Sequence, residues 1–205
     1  TNEFLDRLSM SAPHPATFSP STSAFEAAFR RLAADHDAII AILLSSKLGG
    51  SVRAARAAAE AVKDVIPVAV VDSMNASLGL GFQVLRATDL VNQDLAIDDI
   101  VARLKAERAL NHLAFFCDNL EYLQHGGRIG LAASLVGGLL QLKPLLQIEE
   151  GQVVPLDRTR TRAKAIAGLA DFAEGFARID RLGILYSSEP SAAEALRATV
   201  ASLAP

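Results

Sequence analysis

Apolar residues run almost without interruption from Ala38 to Leu44 and again from Pro67 to Val71, where Asp72-Ser73 ends the run. Short apolar runs bounded by polar and glycine-bearing stretches predict buried strands. Between them the alanine-rich stretch Ser51 to Val65 predicts a helix, and a further helix is expected from Ser77 to Val91, with Gly79 and Gly81 in its first turns. Upstream, Phe25, Phe29 and Leu32 recur at helical spacing, which predicts an amphipathic helix from Ser23 to Asp35 capped by Ser21 or Ser23. A short helix over Asn2 to Leu8 and a polar, proline-bearing loop over Ser9 to Ser23 precede it. Strands alternating with helices imply right-handed crossovers and a parallel sheet.

The pattern changes after Asp98 to Arg108, a helix started by Ile97-Asp98-Asp99. Leu113–Cys117 predicts a strand and Asn119 to His125 a short helix stopped by Gly126-Gly127. Leu142–Ile148 and Gln152–Leu156 predict a hairpin around Glu149-Glu150-Gly151. Thr161 to Phe176 reads as a helix, Leu182–Tyr186 as a strand and Ser191 to Leu203 as a final helix. The expected fold is therefore α/β in two domains. The first, 1–102, has a parallel sheet with flanking helices; the second, 103–205, has a mixed or antiparallel sheet.

Composition narrows the functional classes. Among 205 residues, 51% are hydrophobic and 21% charged, enough for a substantial core. A formal charge of -3 argues against a sequence-independent nucleic-acid binder, which needs a basic surface to displace counterions. The single cysteine, Cys117, sits in an apolar run and is read as a structural thiol. Ile129 to Leu146 is the longest apolar candidate for a membrane span, but its glycines and Lys143-Pro144 mark it as a packed segment. No basic, then apolar, leader opens the chain, so a cytoplasmic location is expected. Thr1 is not a natural initiator, and sequence is expected upstream.

The chemistry-bearing candidates stand where the strands end. Ser45-Ser46 follows the first strand and precedes Lys47-Leu48-Gly49-Gly50-Ser51. Beyond the carboxyl end of a parallel strand, loop N–H groups and the next helix's positive end favour an anion. Serines in such loops also serve simply to satisfy backbone groups. Asp72-Ser73 reads as a second anion loop, a metal-binding carboxylate or a helix cap. The four histidines, His14, His36, His112 and His125, lie in unrelated contexts, and neither a G-x-S-x-G elbow nor a P-loop is present. No cluster of Cys and His has metal-ligand spacing.

Several segments together resemble one family. Pro15-Ala16-Thr17-Phe18-Ser19-Pro20-Ser21, the Ser45–Ser51 loop, Val71-Asp72-Ser73 with Gly79-x-Gly81, and above all Leu120-Glu121-Tyr122-Leu123-Gln124-His125-Gly126-Gly127-Arg128-Ile129 are similar, in order, to the motifs of the DegV family of bacterial fatty-acid-binding proteins. Leu142-Lys143-Pro144-Leu145-Leu146 and the Glu150-Gly151 turn before Arg158 continue the match. The resemblance implies a lipid site between the two domains, holding one long-chain fatty acid whose carboxylate is presented to a partner fatty acid kinase subunit. Phosphoryl transfer would then belong to that kinase, and this chain would be a non-catalytic carrier with no cofactor or metal, touching membranes only during lipid exchange. Thr17, Ser45 and Ser46 would receive the head group, and Arg128 would meet the kinase or the acyl phosphate. Arg128 also suits a plainer role, capping the helix that ends near Leu123. For Glu121 and Lys143 a fold-stabilising role is expected, and for the alternating Arg158, Arg160, Arg162 and Lys164 a solvated face.

The chain departs from the family pattern in places. Thr17-Phe18-Ser19-Pro20 stands for threonine-serine-glutamine-proline, and Leu48-Gly49-Gly50-Ser51 for leucine-serine-glycine-threonine. Phe18 is then expected to shape the tunnel. Tyr186 replaces a histidine, and the family's late histidine-threonine-glycine-proline loop has no counterpart. Two other classes use the same residues: a serine-dependent acyl-ester hydrolase built on Ser45 or Ser46, and a sugar- or dihydroxyacetone-phosphate binder, which rests on fold analogy alone.

Overall fold

The structure, a computed structural model, describes residues 2–10, 15–136, 142–187 and 190–204. Its residues form two compact units, one of Phe18–Leu113 with Ile148–Gln152, the other of Thr1–Thr17, Ala114–Gln147 and Val153–Pro205. The main change of unit thus falls after Leu113, beyond the boundary expected near residue 103, and the hairpin turn 148–152 belongs with the earlier strands. The fold is α/β, with a parallel two-strand sheet in the first unit and a separate three-strand sheet in the second.

In the first unit, β1 (Ile39–Leu43) and β2 (Val68–Asp72) pair in parallel, from Ile39 opposite Val68 to Leu43 opposite Asp72. The pair is apolar on both faces because both are covered. Ile39, Ala41, Leu43, Val68 and Val70 pack with Phe29, Ala55, Ala58 and Val62 of α2 (Thr22–Leu32) and of α3 (Ser51–Ala61) with its C-terminal cap. Ile40, Ile42 and Val71 pack instead with Ala87 and Leu90 of α4 (Ser77–Val91) and Ile100 and Leu104 of α5 (Ile97–Glu107). Alternation along β1 therefore divides its side chains between two cores. Ser21 is the N-cap of α2, accepting from Ala24 N at 3.1 Å. Helix α3 stops at Ala61, short of the expected Val65, and Ile66 precedes Pro67, a position that disfavours helical backbone.

In the second unit, after α1 (Asn2–Met10), the sheet order is β3-β4-β5, with β3 (Ala114–Phe116) antiparallel to β4 (Lys143–Glu149), and β5 (Gln152–Thr159) following a two-residue turn. Glu150 and Gly151 in that turn have φ of 46° and 82°, the positive values that let a two-residue turn follow the twist of its strands. Short α6 (Glu121–His125) and a 3-10 turn over Gly130–Leu135 lie between β3 and β4. Helix α7 (Arg162–Glu174), capped by Thr161, packs through Ala170 and Ala173 on Leu196 and Val200 of α8 (Pro190–Val200).

The expected strand Leu182–Tyr186 is not one. Ile184 joins the α7–α8 core, but Leu185 and Tyr186 are 72% and 55% exposed. An apolar run becomes a strand only where a neighbour takes its N–H and C=O groups, and among the described residues none does. Most of the glycine-rich part of the Ile129 to Leu140 segment, from residue 137, lies outside the described residues, as does His14. Among the described residues no helix is long and apolar enough to cross a membrane.

Charge reinforces the second unit at one point. Asp118 meets Lys143 and Arg162, each at 3.0 Å. Burial alone would raise its carboxyl, yet hydrogen bonds from Lys143 and Arg162 outweigh that and hold it below its ordinary value. The neighbouring Cys117 thiol is pushed up to about 11 by burial, then by the Asp118 charge, so it stays protonated at neutral pH. A carboxyl whose folded value is lowered stabilises the fold where it is ionised, and that contribution is lost as pH falls through the folded value. Because Asp118 is half exposed and screened, Asp118→Asn is expected to cost only about 0.5–1 kcal/mol at pH 7. Urea midpoints should show this gap closing below about pH 4; a gap that persisted at low pH would refute the assignment.

Candidate functional site

The register of β1 on β2 brings the loops after both strands side by side. Ser73 N donates to Leu43 O at 3.1 Å and Ser45 N to Asn75 O at 3.0 Å, so the ladder continues past the strand ends. Ser45 is fully buried. Its hydroxyl donates to Gly151 O at 2.6 Å and accepts from Lys47 N at 3.2 Å, while its carbonyl accepts from Leu48 N and Gly49 N. Ser46, next in the chain, is exposed, and among the described residues only its backbone N–H finds a partner, lying 3.3 Å and 3.4 Å from the two Asp72 carboxylate oxygens. The two adjacent serines thus occupy opposite situations.

Asp72 also accepts from Met74 N at 2.9 Å, which makes it a loop cap. Among the described residues no group of His, Cys, Asp and Glu is placed to hold a metal ion. Ser73, buried, donates to Asn75 O and accepts from Asn75 N, both at 3.1 Å. Asn75 donates to Asn111 O at 2.6 Å and accepts from Ala76 N at 2.9 Å. Gln83 reaches back from α4 to donate to Ser73 O at 3.0 Å and Gly79 O at 3.3 Å, and its own carbonyl oxygen is buried with no partner among the described residues. Arg86 and Glu107 add a bidentate pair at 2.8 Å between α4 and α5, and the Arg86 hydrogen bonds hold the Glu107 carboxyl below its ordinary range.

Neither α3 nor α4 has a side-chain cap at its start. At α3, Gly50 N donates to Ser19 Oγ at 2.8 Å. Helix starts of this kind keep unpaired N–H groups and a partial positive charge. In the loop that leads into α3 the Ser46 hydroxyl is exposed, and the Asp72 carboxylate, a negative charge, holds the N–H of the same residue.

The other expected residues lie elsewhere in the chain's organisation. Thr17 is exposed and Arg128 partly buried, and both fall in the second unit. Arg128 N donates to Leu123 O at 2.9 Å, and its guanidinium turns back to the Gly126 carbonyl, the arrangement of an arginine closing the end of α6. Lys143 and Arg162 hold Asp118. Phe18, expected to shape a tunnel, is 91% exposed. Of the framework residues, Gly151 is named from the sequence, as the hairpin turn, but Asn75, Gln83 and Asn111 are not. Among those three, Gln83 carries a sequence signal, as a polar residue inside the otherwise apolar stretch Leu80–Leu85.

The family model described as "Uncharacterised protein, DegV family" matches residues 1–205. The chain belongs to the DegV family. A DegV domain-containing protein of Streptomyces coelicolor is 37% identical over 187 residues, covering 89% of this chain and 66% of that protein. The chain therefore spans a little under two thirds of that relative's length. Among solved structures, a DegV family protein of Thermus thermophilus, described by its fatty acid binding, is 34% identical with a TM-score of 0.84, over 98% of this chain and 72% of that one. The fatty acid kinase B3 protein of Streptococcus pneumoniae, loaded with linoleic acid, shares the fold with a TM-score of 0.74 at 21% identity, over 84% and 62%.

Two DegV-motif glycines separate sharply by geometry. A Cβ on Gly79 would lie 2.6 Å from Asn75 Cγ and 2.8 Å from Asn75 Nδ2, whereas one on Gly81 meets nothing within 4 Å. Gly79→Ala is expected to lower the urea midpoint by an amount worth about 2 kcal/mol or more, the scale of an overpacked core. Gly81→Ala should be neutral or stabilising by up to about 1 kcal/mol through helix propensity. Equal effects would refute the packing described for the β2–α4 loop.

Proposed function

We propose that this chain is the lipid-holding part of a carrier that binds one long-chain fatty acid and presents its carboxylate to a partner fatty acid kinase, without catalysing the transfer itself. The observation that carries the reading is its 34% identity, at a TM-score of 0.84, to a DegV protein described as binding fatty acid. The loop after β1 supports it with an exposed hydroxyl at Ser46, in the segment leading to a helix start whose N-cap residue, Gly50, offers no side-chain cap. A buried charged carboxylate needs such donors. Thr17 supplies a further exposed hydroxyl in this proposal, and Arg128 is the guanidinium offered to the kinase, which requires it to leave the Gly126 carbonyl.

Magnitudes divide the labour between tail and head. A tail of ~16 carbons at ~0.8 kcal/mol per buried methylene gives roughly 12 kcal/mol of gross transfer energy. A neutral hydrogen bond contributes about 1 kcal/mol net. The tail sets affinity and the hydroxyl orientation. Within this reading the carrier is cytoplasmic and meets membranes only to exchange lipid.

The hydrolase reading finds no support at Ser45. The Ser45 proton is given to a backbone carbonyl, which cannot act as a general base. Native mass spectrometry of the full-length protein purified from bacterial cells, followed by lipid extraction, is expected to recover one intact fatty acid per chain. Recovery of no fatty acid, or turnover of an acyl ester that disappears in Ser46→Ala, would overturn the carrier reading.

A further inference from the structure

Helix α5 ends at Glu107, yet the change of unit falls only after Leu113, so the connecting residues 108–113 belong with the first unit. Burial of apolar side chains accounts for little of this, since Ala109 and His112 are exposed and Leu110 is 74% exposed. Hydrogen bonds hold the strap instead. The β1–β2 ladder shows where it lies. Ile39 N donates to Pro67 O and Ser73 N to Leu43 O, so the odd-numbered residues of β2 turn their backbone groups to β1, and Asp72 turns its own to the opposite edge. Among the described residues β2 has no second neighbouring strand. At that outer edge the Asp72 carbonyl accepts from Arg108 Nη1 at 3.2 Å, so the strap covers the end of an edge that a strand would otherwise pair with.

A second bond comes from the loop that follows β2. Asn75 Nδ2 donates to Asn111 O at 2.6 Å. Asn75 is buried, and its side-chain oxygen accepts from Ala76 N at 2.9 Å, which leaves the amide nitrogen for the strap. Gly79 lacks the Cβ that would lie 2.8 Å from that nitrogen, so the amide has room against the first turn of α4. The strap is also tied to itself: Asn111 N donates to Arg108 O at 3.1 Å, and Asn111 Nδ2 to Glu107 O at 3.0 Å. Glu107 is held to α4 by Arg86, and at the far end Leu113 O accepts from Ile148 N at 2.9 Å.

We infer that Asn75 is a clasp which, with Arg108, fastens the strap 108–113 to the end of β2 and so carries the first unit on to Leu113 instead of letting it end with α5. The inference does not depend on the carrier reading. Its consequence is dynamic. With the clasp closed, the chain leaves the first unit from a fixed point after Leu113; with it open, the free connection lengthens back to Glu107. Opening of this kind is local, because the two cores packed on β1 and β2 take no part in it.

Hydrogen–deuterium exchange of the full-length protein, with no ligand added, tests the clasp. Asn75→Asp keeps an oxygen for Ala76 N but has no N–H for Asn111 O. Exchange over residues 109–113 is expected to rise about tenfold or more in this variant, the scale of one lost buried hydrogen bond, while β1 and β2 change by less than about twofold. Arg108→Ala is expected to raise the same region about threefold, and the two substitutions together to raise it more than either alone. Unchanged exchange over 109–113 in Asn75→Asp would overturn the clasp. A rise of equal size in β1 and β2 would overturn it too, because Asn75 would then hold the whole unit and not the strap. Arg108 is half-buried at the surface, so its variant keeps the test open where Asn75→Asp does not fold. Unchanged exchange over 109–113 in Arg108→Ala would overturn the fastening at Asp72.

Discussion

The ladder between β1 and β2 is the constraint on which the rest of the first unit depends. Its parallel register sets Leu43 opposite Asp72, and two further backbone bonds, Ser73 N to Leu43 O and Ser45 N to Asn75 O, extend it beyond the strands. A shift by one residue would turn Ile40 and Ile42 away from the α4–α5 core and separate the two loops from each other's partners. Burial on both faces makes that shift costly, so the hydrophobic effect fixes where the serines stand.

From that register follows a loop system made rigid by polar bonds. Asp72, Ser73, Asn75 and Gln83 spend their side chains on backbone groups of the same loops, and Ser45 spends its proton on Gly151. Buried polar groups satisfied in this way specify one conformation. Such a framework leaves little freedom to the residue it carries outward, Ser46, and a preorganised donor loses less on binding a carboxylate. The alkyl tail supplies the affinity in the proposed carrier; the framework supplies the direction in which the carboxylate points.

Much of the architecture was legible because it was written in local pattern. The strand run Ala38–Leu44 is apolar on every position since both its faces are covered, and Ser77–Val91 forms the helix with the expected bounds. Leu182–Tyr186 misled because apolar content signals burial and not a ladder partner. The motif residues were legible as a family, and the chain is a DegV member. Their roles were not. Nothing local distinguishes Ser45 from Ser46, because what separates them is a carbonyl 106 residues further along the chain. Arg128 differs, since the capping alternative written in its place just after the glycine pair is the arrangement seen, with the guanidinium turned back to the Gly126 carbonyl.

A crystal structure of the full-length protein with oleate bound tests the central claim most directly. The account predicts one carboxylate oxygen within about 2.6–3.2 Å of the Ser46 hydroxyl, at the loop joining β1 to α3. A carboxylate seated away from that loop, with Ser46 still facing solvent, would contradict it.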